Sequence, residues 1–181
     1  MRRINSDFQT LHISEEGQKL SNRDYFGYVE MDDFACDVLA DSLDDEPAVN
    51  SARLVVDSII RDFTEAPTMG KGTLRRYLLR AHTELLKQRA GMHLKVAVVV
   101  AVTDYRTLRY CHVGNGRLYL IRNARILEQT KDQSLTQNLN GSCWMRPQGM
   151  KSATIFIPFW GKEESRRYRF PGKRSWKQEI S

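Results

Sequence analysis

Apolar and polar side chains alternate over Phe8–Ile13 and again over Tyr25–Met31, and beyond Asp32-Asp33 the run Phe34–Ala40 is almost wholly apolar. A period of two sends successive side chains to opposite faces of an extended chain, so these segments predict short strands joined by tight loops. At Ala48 the period changes. Ala48, Ala52, Val55, Val56, Ile59, Ile60 and Phe63 recur at three- and four-residue intervals, which places them on one face of a helix over Ala48–Phe63. The stretch Glu65-Ala66-Pro67-Thr68-Met69-Gly70 ends it, since proline and glycine interrupt the helical ladder. A second helix is predicted over Thr73–Arg89, with Leu74, Tyr77, Leu78, Ala81, Leu85 and Leu86 on one side and Gly91 beyond its end.

The pattern then becomes extended again. Leu94–Thr103 is too rich in valine for anything but a buried strand. Thr107–Val113, Arg117–Arg122 and Arg125–Gln129 follow, separated by turns at Asp104-Tyr105, Gly114-Asn115-Gly116 and Asn123-Ala124, and read as an antiparallel meander. Strands, two long helices and strands again predict an α+β domain with both helices on one face of antiparallel sheet.

A chain of 181 residues suits one domain. The longest apolar run, Val96–Val102, falls far short of the roughly 20 residues of a membrane-spanning helix. No apolar signal core follows Met1–Asn5, so a soluble, cytoplasmic protein without a membrane partner is expected. Cys36, Cys111 and Cys143 lie at no metal-ligand spacing and are odd in number, which predicts reduced thiols. His12, His82, His93 and His112 are scattered singly and read as core or surface residues rather than ligands.

Charge changes the picture. Of 28 Lys/Arg and 22 Asp/Glu, nine and three respectively fall after residue 139, which leaves 19 of each sign before it and puts the whole net charge of +6 in the tail. Trp144, Trp160 and Trp176 lie there too, with Pro147, Pro158 and Pro171. The break divides the chain into residues 1–139, a partial domain, and a basic, Trp-containing tail over 140–181, expected to be disordered or loosely packed. Within the tail, Ala153–Trp160 is apolar enough to pair as a strand. Arg, Lys, Tyr and Trp together resemble a nucleic-acid-binding tail, but the neutral remainder makes such a partner unlikely.

Metal-assisted phosphate chemistry requires clustered carboxylates that hold two cations about 4 Å apart. Asp41 sits where the strand Val38-Leu39-Ala40 runs out, followed by Ser42 and a loop with Asp44 and Asp45; Asp24 begins another strand 17 residues earlier. Neighbouring strands would bring Asp24 and Asp41 together, although acids at strand ends are more often solvated turn residues.

The chain carries, in order, Lys19, Asn22-Arg23-Asp24, Ala40-Asp41-Ser42 at a strand end, two helices, and the buried strand Val96–Val102. Val113-Gly114-Asn115-Gly116-Arg117 and Thr130-Lys131-Asp132-Gln133-Ser134 follow. In this order and spacing, residues 15–139 resemble the PP2C-type (metal-dependent, PPM family) protein serine/threonine phosphatases of bacteria. That family shows an Arg three residues before Asn-x-Asp, then Ala-Asp-Gly, two helices, a buried strand, Val-Gly-Asp-Ser-Arg and Thr-x-Asp-His-Ser. The resemblance implies a β-sandwich flanked by antiparallel helices, of which this chain would hold the first half. It implies hydrolysis of phosphoserine or phosphothreonine in a phosphoprotein by water activated on Mn²⁺ or Mg²⁺. Asp41 would bridge the metals, Ser42 would lend its backbone carbonyl, Asp24 would orient metal-bound water, and Lys19 would grip the substrate phosphate.

The departures from the pattern carry a second expectation. Lys19 replaces Arg and loses the bidentate fork, Ser42 replaces a glycine suited to a sharp backbone, and Arg23 adds positive charge beside a cation site. Asn115 and Gln133 also differ, and nothing from Asn140 onward resembles the family's later aspartates. Metal binding is therefore expected to be weak or absent and the chain inactive, with a pseudo-phosphatase or binding fragment as the alternative reading. Back-translation of 140–181 in a shifted frame, under one choice of codons, yields a helical pattern and a Gly-Asp pair like those of the family. A frame slip near Leu139 is thus expected to have replaced the second half. An incomplete sandwich would expose sheet edges and favour dimers or aggregates.

Overall fold

The computed structural model describes residues 10–15, 22–44, 46, 48–70, 72–88, 92–130, 143–146 and 154–156. Strands β1 (Asp24–Glu30) and β2 (Ala35–Ser42) form a hairpin, followed by helices α1 (Ser51–Glu65) and α2 (Thr73–Gln88). Then come β3 (Val96–Thr103), β4 (Leu108–Val113), β5 (Tyr119–Arg122), β6 (Arg125–Gln129), β7 (Cys143–Arg146) and β8 (Thr154–Phe156). One antiparallel sheet has the order β1-β2-β3-β4-β7 and a second the order β6-β5-β8. This is the α+β layering that the periodicity predicts.

Alternation along β2 divides the molecule. Cys36, Val38 and Ala40 face the helices and join Ala52, Val55, Val56, Ile59 and Phe63 of α1, Leu74, Tyr77 and Ala81 of α2, and Val98, Val100 and Val102 of β3 in the larger core. Removing so many apolar side chains from water is the main drive for this packing. Gly27 lets α1 approach β1, since a Cβ there would lie 2.5 Å from Val56 Cγ1. Phe63 and Tyr77 meet edge to face across the two helices, with ring centroids 6.3 Å apart. Burial pushes the Cys36 thiol far above its usual range, so it behaves as a small apolar side chain.

The opposite face carries a second layer. Val99, Ala101, Leu108 and Tyr110 pack against Leu118 and Leu120, and the Tyr110 hydroxyl donates to Glu128 Oε1 at 2.8 Å. Thr10 and His12 reach β2 and β1 on this side: the Thr10 hydroxyl donates to Asp37 Oδ1 at 3.3 Å, and His12 stacks on Phe26 with centroids 4.8 Å apart.

Several expectations change here. The four strands after α2 are not one meander, because the chain leaves the first sheet after Val113 and begins the second at Tyr119. Gly114, at φ 90°, breaks the ladder, and Leu118 turns into the space between the sheets. The alternation of Phe8–Ile13 yields no strand over residues 10–13, and Phe8 and Gln9 lie outside the described residues. Beyond residue 139, β7 pairs with β4 and β8 with β5, the latter inside the apolar run Ala153–Trp160. The β4–β7 register sets Cys111 opposite Cys143. Among the described residues no helix is long and apolar enough to cross a membrane.

Candidate functional site

Asp24 begins β1 and Asp41 comes one residue before the end of β2, and the hairpin register makes them direct partners. Directly opposed residues of an antiparallel ladder project from the same face, with about 5 Å between their Cβ atoms. Both carboxylates therefore stand at one end of the sheet, on the face away from the helices. Asp24 is half-buried and Asp41 is 8% exposed. Like charges so placed repel each other, and a hard cation shared between them would offset that repulsion.

The opposite edge of β2 extends the site. Asp41 pairs with Ala97 of β3, and a Cβ on Gly114 would lie 2.6 Å from Ala97 Cβ. The turn Val113–Arg117 is thus brought beside Asp41, 73 positions later in sequence. Thr130 is anchored by a two-way contact with Leu118: its N–H donates to the Leu118 carbonyl at 3.0 Å and its hydroxyl accepts from the Leu118 N–H at 2.8 Å. Gly114→Ala is expected to lose about 1–2 kcal/mol, from positive φ together with the collision. Gly72→Ala is the control: its φ is 79° and nothing lies within 4 Å of the added methyl. Urea melts showing equal losses for the two would remove the close approach to Ala97 as a constraint.

The structure revises two features that looked unfavourable in sequence. Ser42 lies in regular strand, paired with Val96, and is not among the residues at positive φ, so this position does not require glycine. Its side chain accepts the Ala52 N–H at 2.9 Å and ties the strand end to the first turn of α1. Arg23 does not face the carboxylate pair with spare charge. Its guanidinium is engaged by Asp44, at 3.1 Å, and by the carbonyls of Glu46 and Val49. Sequence reasoning missed this ion pair, because a separation of 21 positions leaves no periodic signal. Asn22 accepts the Asp24 N–H at 2.9 Å, which sets the start of β1. Lys19, Asp45 and Gln133 lie outside the described residues.

The donors at this end are carboxylate and carbonyl oxygens, the set that suits Mg²⁺ or Mn²⁺. Asp41, with Asp24 opposite it in the ladder, would offer carboxylate oxygens to such an ion. Among the described residues no three His, Cys, Asp or Glu side chains gather as a metal-binding group, and no aspartate follows Asp132 in the sequence. The described residues by themselves do not gather a two-ion centre.

The fold is that of the PP2C-type bacterial serine/threonine phosphatases. The catalytic domain of the serine/threonine protein phosphatase PstP in complex with two manganese ions superposes with a TM-score of 0.59 at 15% identity, over 72% of this chain and 68% of that one. A bacterial serine phosphatase bearing a single substitution gives 0.58 at 19%, over 80% and 70%. The serine/threonine phosphatase of S. agalactiae gives 0.55 at 14%, over 83% and 72%. At these identities the likeness is one of fold. No protein-family model matches the sequence, and no curated protein is significantly similar to it.

Proposed function

We propose that this chain is a protein serine/threonine phosphatase domain of the PP2C type that is catalytically silent in its present form. The observation that carries the reading is the direct pairing of Asp24 with Asp41 at the end of β1 and β2. In this reading Asp41 would hold the cation through its carboxylate and Ser42 through its carbonyl, Asp24 would orient water at the site, and Lys19 would bind the phosphate of a phosphoprotein. Two bound ions would supply the hydroxide nucleophile and screen charge on the phosphoryl oxygens. The residues brought together hold one Mn²⁺ or Mg²⁺ weakly, so what survives is binding of phosphoprotein without turnover, the behaviour of a pseudo-phosphatase.

Residues 1–139 act as the phosphatase-like unit and 140–181 as a basic appendage that adds β7 to the first sheet and β8 to the second. The setting is cytoplasmic, and neither a membrane nor a nucleic acid enters the reading. Strands β1 and β6 terminate their sheets as described, and such edges favour dimers.

Titration with Mn²⁺, together with p-nitrophenyl phosphate as substrate, tests this. The expected result is weak, Asp41-dependent Mn²⁺ binding without measurable turnover. Metal-dependent turnover that disappears in Asp41→Ala would establish an active enzyme instead, and absence of any Asp41-dependent binding would overturn the phosphatase reading altogether.

A further inference from the structure

Arg23 and Asp44 form a heavily hydrogen-bonded charged pair near the site. The two side chains are only 15% and 5% exposed. Arg23 Nη2 donates to Asp44 Oδ1 at 3.1 Å and to the Val49 carbonyl at 2.7 Å, while Nη1 donates to the Glu46 carbonyl at 2.6 Å. Asp44 also accepts from the Glu46 N–H at 3.3 Å, the Ser51 hydroxyl at 2.8 Å and the Lys95 N–H at 2.8 Å. The Leu43 N–H donates to the Lys95 carbonyl at 2.8 Å. One ion pair thus gathers the start of β1, the β2–α1 loop, the first turn of α1 and the start of β3.

Burying two charges is favourable only when their remaining hydrogen-bonding capacity is met, and removing one partner strands the other. Here most of the capacity is used: both Asp44 oxygens and both terminal nitrogens of Arg23 are engaged, and only the buried Arg23 Nε lacks a partner. Asp44 follows Asp41 by three residues and Arg23 precedes Asp24 by one, so the pair brackets both opposed carboxylates. Each strand end is thus tied down through a residue next to it or near it in the sequence.

We propose that Arg23 and Asp44 are positioning residues which, as one buried ion pair, hold the β2–α1 loop and the Asp41–Ser42 strand end in a single shape before any cation arrives. The proposal deepens the proposed function and rests on this strand end being the cation site. A carboxylate and a carbonyl at a strand end whose following loop wanders must have that loop ordered when the ion binds, which weakens binding; a loop already ordered by internal charges removes that cost.

The test uses the full chain. Amide hydrogen exchange is measured on the metal-free protein, and Mn²⁺ affinity by electron paramagnetic resonance, for wild type, Arg23→Gln and Arg23→Lys. Arg23→Gln is expected to exchange faster at Leu43, Ala52 and Lys95 while still melting cooperatively, and to bind Mn²⁺ about 10-fold more weakly or worse. Arg23→Lys, which keeps the charge and loses the fork, is expected to fall between. A merely structural role would lower the melting temperature and leave Mn²⁺ affinity of the folded protein unchanged, which would overturn the proposal. Wild-type protection at the three amides in Arg23→Gln would do the same. Should Arg23→Gln fail to fold, Arg23→Lys carries the same comparison. Absence of Asp41-dependent Mn²⁺ binding in the wild type refutes the cation site and this proposal with it, even where the exchange data still show the loop held by Arg23.

Discussion

Asp41→Asn is expected to reduce Mn²⁺ affinity on the order of 100-fold or more, because binding of a hard cation tracks the charge and number of its oxygen ligands. The substitution is nearly isosteric, and the backbone at this position is fixed from both sides, by Asp24 in β1 and Ala97 in β3. The variant should therefore keep its fold while losing the negative charge and one of the two carboxylate oxygens, which becomes an amide NH2. Isothermal titration of the two proteins at millimolar metal makes the comparison, with circular dichroism confirming equal secondary structure. Asp24→Asn is expected to have a smaller effect, since Asp24 acts through water in the proposed arrangement. Equal affinity of wild type and Asp41→Asn would place the cation elsewhere or nowhere, and the function proposed for this sheet end would go with it.

The second large effect concerns pH. Asp37 projects from the same face of β2 as Asp41, four residues away, opposite Tyr28 in β1 and Ala101 in β3. Burial pushes its carboxyl up to about 6; the hydrogen bond from Thr10 opposes the rise and the nearby charge of Glu30 adds to it. Between pH 4 and 6 the folded chain retains a proton on Asp37 that the unfolded chain has released. Stability contributed by this group is therefore present at low pH and lost as pH rises through 6. Asp37→Asn removes the ionisation and can still accept from Thr10. It is expected to be more stable than wild type by about 2 kcal/mol at pH 7.5, with the difference vanishing near pH 4. Urea denaturation of both proteins at several pH values reads this directly. Parallel profiles would mean that Asp37 ionises freely in water.

Much of the fold was legible because its signals are local. The helical stripe from Ala52 to Phe63 and the valines of β3 declare both element type and buried face, and the structure places them in one core. Likewise the short strand Thr154–Phe156 falls inside an apolar run visible in sequence. The opposition of Asp24 and Asp41 was legible only in part. Two acids at the ends of successive strands permit a register that pairs them, but alternation alone fixes faces and not partners. Hairpin pairing of Glu30 with Ala35 sets the register that carries both carboxylates to the same level.

Other features had no sequence signal at all. Ser42 read as a poor substitute for glycine until its regular strand backbone and its bond to Ala52 appeared. Arg23 read as an unwelcome charge until Asp44 was found against it. The crossing from one sheet to the other at Gly114 was hidden as well, because a strand with alternating side chains reads the same in either sheet.

The amino-acid sequence by itself determined the elements, their buried faces and the supply of carboxylates at strand ends, since periodicity and composition act over a few residues. Only the tertiary structure decided which carboxylates face each other, which charge neutralises Arg23, and which turn rests on Ala97. These are contacts between segments far apart in the chain, set by strand register and by the demand that every buried charge find a partner.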